Sequence, residues 1–370
     1  MLLGLCAALF GLAGQTFLVY RSFGGQWSAL FCTAADRQLA PVLEGVETYR
    51  FQGTYGYDGH FYRAIAYDPL VSYRPAPEVF DDLRLRWRRI LLPASAWALS
   101  GGRAAWVDNA YRAVVLFSLF AGVAISARWA MLRGLSPGWG LVFLFLPGVV
   151  ISLERMTVDI VLAALTAAFA YGVTTGDRRW TWTALLLSPL ARETGLALTG
   201  AWCLVALIER RWRDVLIGGA TALPWIGWAS YVGANTEAGW VSFITGWPLE
   251  GLARRLVMIY PPMTSWFNTT AAVLEHISLT GVCALFGLVA YRLWKQRPPT
   301  TLGMAAAAFV AGVGLLSFGG VWTETYAFGR ILTPALLLLP AAWPRPSSLL
   351  PLLLVLPRVL AQFVPHIIRF

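Results

Sequence analysis

The chain has 370 residues, 58% hydrophobic and only 13% charged. A soluble domain carries about 25% charged residues, so the composition excludes a soluble fold and points to an all-α, polytopic membrane protein. The formal net charge of +10 is carried by arginine, since Lys295 is the only lysine; these arginines sit between apolar runs, where topology and lipid phosphates account for them and no nucleic-acid partner is expected.

A membrane span needs roughly 20 apolar residues, and residues 1–20 supply the first, read as a retained span rather than a cleaved signal. Residues 21–89 are polar and hold eight of the 19 acidic residues. That is too long for a connecting loop and must fold as a cap. It closes on the basic run DDLRLRWRR. Residues 90–99 are apolar but short, as in an interfacial helix, so the cap is taken as 21–106 and the bundle as 107–370.

Within the bundle, spans are expected at 110–131, at 138–153 with a kink at Pro147, and at 160–174. The segment 181–208 is too long for one upright helix, is basic at both flanks, and is interrupted by SPLARET. It reads as two short helices meeting at Arg192 and Glu193. Broken backbone at such depth is tolerated where it lines a cavity or is buried in protein. Further spans are expected at 215–232, 269–294, 300–319, 331–343 and 349–364, for about nine to eleven membrane segments in all. With the basic loops 209–213 and 292–297 placed in the cytoplasm, the cap and the loops 154–159, 233–268 and 320–330 all fall on the outer face.

Four scattered cysteines make no CxxC pair, and three dispersed histidines are too few for a histidine-built zinc site. No P-loop, GxSxG, HExxH or dinucleotide fingerprint occurs. The candidate chemistry lies in polar clusters. The stretch 55–69, YGYDGHFYRAIAYDP, sets Asp58 among Tyr57, His60 and Tyr62. A carboxylate there can serve as a general base on an acceptor, or cap a helix or turn; Asp68 before Pro69 reads as a turn residue. Arg86 and Arg89 share a helix face, suited to gripping one phosphate or to anchoring on anionic headgroups. Glu154, Arg155 and Asp159 form another cluster, and Arg192 with Glu193 a further one, open to a substrate role or to an ion pair. Glu324 and Arg330 flank the last outer loop, with Arg330 read as opening a helix whose N-terminus would help hold phosphate.

These motifs together resemble the GT-C superfamily of polytopic glycosyltransferases, in particular bacterial members with a YDGxFY motif. The matching residues are Tyr57, Asp58, Gly59, Phe61 and Tyr62, with RRILLP at 88–93, RMTVD ending at Asp159, ARET at 191–194 and GRILTP at 329–334. The resemblance implies a transferase on the outer face of a bacterial cytoplasmic membrane, using a polyprenyl-phosphate sugar donor and a glycan, lipid or protein acceptor. It makes Asp58 the catalytic carboxylate and Asp159 a second-site carboxylate, with Arg89 and Arg330 on the donor phosphate. The DxD-type pair is absent at Asp58, which leaves a divalent metal open and Asp81-Asp82 only a distant substitute. A transporter or flippase for a lipid-linked glycan, and a non-catalytic envelope-assembly subunit, are the alternatives.

Overall fold

The structure, a computed structural model, describes residues 1–72, 79–237, 243–244, 246–258 and 266–364. Part of the expected outer stretch 233–268 therefore lies outside the described residues. Apart from one two-residue parallel ladder, β1 (Thr33–Ala34) with β2 (Arg50–Phe51), the regular structure described is helical. The first helix, α1 (Leu2–Ser22), leads into a cap that contains α2 (Gly59–Tyr67), α3 (Leu83–Arg88) and α4 (Leu91–Leu99). The bundle follows as α5 (Ala104–Leu132), α6 (Pro147–Arg155), α7 (Asp159–Thr175), α8 (Arg178–Ala191), α9 (Leu196–Ile208), α10 (Trp212–Ala220) and α11 (Leu223–Asn235). Its remaining helices are α12 (Glu250–Leu256), α13 (Trp266–Lys295), α14 (Thr301–Gly314), α15 (Gly319–Trp322), α16 (Thr325–Ala342) and α17 (Leu350–Leu360).

The chain is thus an all-α, multi-pass membrane protein. The expected nine to eleven segments resolve, among the described residues, into six stretches long and apolar enough to cross a membrane, one bent pair and three shorter apolar helices. The bent pair is a 3-10 stretch, Pro137–Phe145, meeting α6 at 57°. Pro147 is the cause: the residue before a proline is pushed to extended backbone, and Leu146 is at ψ 134. The other interruption falls at Arg192, where an extended residue separates α8 from the turn that opens α9.

Two expectations are corrected. The last outer loop does not run to Arg330, because α16 begins at Thr325 with Glu324 at its N-cap. Arg330 is therefore a residue of the second helical turn, and the helix N-terminus does not serve it. The stretch around Asp58 is also less of a loop than it reads: from Gly59 to Ala66 every residue of α2 is buried. The reason is an anchor at Arg63, which is fully buried and bonds both carboxylate oxygens of Asp108 on α5, the Thr48 hydroxyl and the Glu47 carbonyl. A fully buried arginine is tolerated only when its donors are met this completely.

Helix α16 forms the buried axis of the bundle, packing against α6, α7, α13, α14 and α17. Its first two turns face the end of α6, the start of α7, the α8–α9 break and the cap. The candidate site sits where these meet.

Candidate functional site

Asp58 occupies the N-cap position of α2, but its side chain does not cap the helix. It turns instead to two arginines from distant parts of the chain, 2.7 Å from Arg86 Nη1 and 2.5 Å from Arg330 Nη2, and is 13% exposed. Burial alone would raise the pKa of this carboxyl. Arg330 and Arg86 outweigh it and hold Asp58 well below the usual carboxylate range, so it is ionised.

Each arginine is shared onward. Arg86 also bonds Asp81 at 2.9 and 2.5 Å, and Arg89 grips both oxygens of Glu193 at 2.8 and 2.6 Å. Both donate to the Tyr62 hydroxyl, Arg89 at 2.9 Å and Arg86 at 3.3 Å. Arg192 pairs with Asp159, which also lies 3.9 Å from Arg330. The result is a ring of four arginines and four carboxylates, Asp58, Asp81, Asp159 and Glu193, with no net charge. Asp82, by contrast, caps α3 by accepting from Leu85 N–H. Within the ring, Arg192 Nε and Arg330 Nε and Nη1 are buried and find no hydrogen-bond acceptor among the described residues. Unmet buried donors are costly, and an anion could satisfy these; Asp58 Oδ2 is likewise buried without a hydrogen bond among the described residues.

An aromatic wall closes one side. The Tyr57 hydroxyl donates to the Tyr326 carbonyl at 3.2 Å, and its ring takes Arg155 at 4.8 Å and Arg330 at 5.1 Å. The Tyr326 hydroxyl donates to Glu154 at 2.6 Å, and Arg155 lies 3.5 Å from the same carboxylate. Tyr57 is therefore a locked wall residue rather than a free platform for ligand.

His60 is 7% exposed and its Nδ1–H donates to the Tyr57 carbonyl at 2.6 Å. Burial, and then the charge of Arg37, lower its pKa to about 4. The unfolded imidazole titrates near 6.5, so between these values the unfolded chain binds more protons and stability falls as pH falls. Lowering the pH from 7.5 to 5 is expected to cost about 2 kcal/mol through this residue. Thermal unfolding in detergent at the two pH values checks it: His60→Gln should remove most of the difference, and an equal loss in the variant would show another origin.

Gly59 is fixed by the same crowding. A Cβ there would lie 2.1 Å from the Arg155 carbonyl oxygen and 3.1 Å from that of Phe31. Gly59→Ala is expected to push α2 off the end of α6, lowering the unfolding temperature by several degrees and opening the Asp58 pairings. An alanine variant with wild-type stability would show that the two backbones are not held this close.

Of the residues singled out from the sequence, Asp68, Asp82 and Glu324 stay outside this constellation: Asp68 ends α2 and Asp82 caps α3. Glu324 is near Tyr57 but forms no ion pair or hydrogen bond through its side chain among the described residues. Arg192 and Glu193 do not pair with each other; they pair with Asp159 and Arg89. Among the described residues no three His, Cys, Asp or Glu side chains converge as a metal would need.

Sequence reading missed a second buried cluster. Glu275 on α13, 3% exposed, takes Arg358 of α17 at 2.8 Å, Arg255 of α12 at 3.8 Å and the Thr325 hydroxyl at 3.0 Å. A single carboxylate inside an apolar run was the available signal. It pins the first turn of α16, and so Tyr326 and Arg330. Beside the site, an apolar cavity of about 340 Å³ runs between α1, the bent pair and α17, with Phe10, Phe17, Phe145 and Leu360 in its wall and Gln15 and Glu154 its polar lining residues.

No family model, curated protein or solved structure matches the chain.

Proposed function

We propose that this protein is a membrane glycosyltransferase of GT-C type, moving a sugar from a polyprenyl-phosphate-linked donor to an acceptor on the outer face of a bacterial cytoplasmic membrane. The observation that carries the reading is the neutral ring itself: an ionised Asp58 shared by two arginines, beside three arginine donors that lack acceptors. Arginine forks suit phosphate, and charge-assisted bonds to it are strong. The apolar cavity that Glu154 helps to line offers the donor's hydrocarbon tail a lateral berth next to that phosphate position.

The geometry is compatible with the following order of events. In the resting ring Asp58 is a poor base, because Arg330 and Arg86 stabilise its charge. Donor phosphate competes for Arg330, whose Nε and Nη1 have no hydrogen-bond acceptor among the described residues, Nη1 lying 3.9 Å from Asp159. As Arg330 turns to the phosphate, Asp58 loses part of its stabilisation and becomes more basic. The acceptor hydroxyl then gives its proton to Asp58 as its oxygen attacks the anomeric carbon. The bond from that carbon to the phosphate oxygen breaks, and polyprenyl phosphate leaves with its charge held by Arg330 and Arg89. Electrostatic support of a leaving group is commonly the largest catalytic contribution.

The test is to incubate the purified full-length chain in lipid nanodiscs with a panel of polyprenyl-phosphate sugars and follow release of free polyprenyl phosphate. Release above a heat-inactivated control supports transfer or donor hydrolysis at this site. If no donor is consumed while labelled lipid-linked glycan crosses vesicles containing the chain, the site is a translocation path. Neither activity, with Asp58→Asn restoring a deletion strain fully, leaves a scaffolding subunit.

A further inference from the structure

The cap contains a cavity of about 560 Å³, lined by Ala34, Asp36, Arg37, Gly53, Thr54 and Tyr55. Its walls are two loops, one following β1 and the other following β2, and they are held firmly. The ladder pairs Thr33 with Arg50 and Ala34 with Phe51, and Ala35 N–H adds a bond to the Phe51 carbonyl at 2.7 Å. The Arg50 guanidinium then gathers the carbonyls of Ala34, Ala35 and Arg37 onto one nitrogen. Gly56, at φ +75, brings the second loop so close that a Cβ would stand 2.7 Å from the Cys32 carbonyl oxygen. With the backbone tied inward, the side chains of Asp36, Arg37 and Tyr55 are left on the rim.

Their condition contrasts with the ring of charges nearby. There, every carboxylate has an arginine; here, neither Asp36 nor Arg37 has an ion pair or a side-chain hydrogen bond among the described residues. Tyr55 is 92% exposed, although it stands three residues before the Asp58 that the arginines bury. The rim also connects to the site. The Arg37 guanidinium rests 5.1 Å from the centre of the Phe61 ring, and Arg86, which holds Asp58, rests 4.9 Å from the same ring. His60 also packs on the Phe61 ring, tilted at 44° with centroids 3.9 Å apart, and its buried Nε2 has no hydrogen-bond partner among the described residues.

We infer that this cavity seats the acceptor, and that the acceptor's reacting end is a saccharide. Three features select that class. The rim carries one positive and one negative group, so it favours neither a phosphate nor a cation. It offers an acceptor at Asp36, five donors at Arg37 and both at Thr54, the mixture that sugar hydroxyls require. One exposed tyrosine supplies an apolar face with a polar edge, on which a sugar ring can lie. The lining contains no Leu, Ile or Val, so a hydrocarbon tail has nothing to rest on, in contrast to the cavity beside α1. This inference rests on the transferase reading for its role but not for its binding chemistry, which makes the two separable.

The experiment uses the full chain in detergent micelles and saturation-transfer NMR with glucose, galactose, mannose, N-acetylglucosamine and their common disaccharides as probes. At least one is expected to bind saturably. Tyr55→Ala and Arg37→Ala are each expected to weaken that binding tenfold or more, and Asp36→Asn to do so less. Asp36 and Tyr55 are exposed, Arg37 is half-buried against Phe61, and a gel-filtration profile checks that the variants fold. Wild-type chain that saturates with none of these sugars, or rim variants that bind as wild type does, would overturn the inference. The two readings also fail differently in the nanodisc assay. Donor consumption with an unchanged acceptor KM in Tyr55→Ala sinks the acceptor site and keeps the transferase. Saccharide binding lost in the rim variants, without consumption of any donor, keeps the saccharide site and sinks the transferase.

Discussion

Asp58→Asn is expected to lower the turnover of sugar transfer by about 10²–10⁴-fold, the usual worth of a positioned acid–base group. It should leave the KM for the donor unchanged or lower. The substitution keeps shape and removes one negative charge. Arg86 stays anchored by Asp81 and Tyr62, so the local fold has other ties. Arg330 loses its counter-ion and is freer for donor phosphate, which is why affinity should not suffer. A scaffold role would move neither constant, and a purely structural role would raise KM and lower stability together. Steady-state kinetics over a donor concentration series separates these cases. Turnover within threefold of wild type would remove Asp58 from the chemistry.

Arg192→Met is expected to destabilise the protein by about 3–5 kcal/mol, because it leaves Asp159 buried beside a partner that has gone. Asp159 is 3% exposed and Arg192 4% exposed, so water cannot replace the lost pairing. The nearest remaining arginine, Arg330, is 3.9 Å from Asp159 and is already engaged with Asp58. Adding Asp159→Leu to Arg192→Met should restore most of the loss, since a buried pair exchanged for apolar groups of similar size is often neutral. Equilibrium unfolding in detergent of the wild type, both single variants and the double variant gives the coupling directly. Additive losses would mean that the two side chains do not depend on one another.

Much of this site was legible because charges are rare in the chain. Asp58, Arg86, Asp159, Arg192 and Arg330 stood out as ionisable groups between apolar runs, and such groups are retained where they have partners or work to do. Who pairs with whom was not legible. Arg192 and Glu193 are neighbours in sequence, but Arg192 is extended at φ −162 and ψ 138. Extended backbone sends successive side chains to opposite sides, one to Asp159 and the other to Arg89. The start of α16 was also hidden. The stretch VWTETYAFGR is broken by the polar run Thr323, Glu324 and Thr325, and two of its polar groups, Thr325 and Tyr326, are held by Glu275 and Glu154 from other helices. The break between α8 and α9 and the bend at Pro147 were readable because their causes are local.

The order of the charges along the chain carries a further consequence, for biogenesis. Three carboxylates precede arginines that neutralise them: Asp58 before Arg86 and Arg330, Asp159 before Arg192 and Arg330, Glu275 before Arg358, whereas Arg63, Arg89 and Arg255 precede Asp108, Glu193 and Glu275. Synthesis runs from the N-terminus, so the early segments emerge carrying charges whose counter-ions have yet to be made. The ring closes only when α16 delivers Arg330, and Glu275, which holds Thr325 of α16, gains Arg358 only when α17 follows. Maturation of the centre is therefore coupled to synthesis of α16 and α17. A ribosome stalled before residue 330 would hold a bundle with most of its helices and no assembled centre.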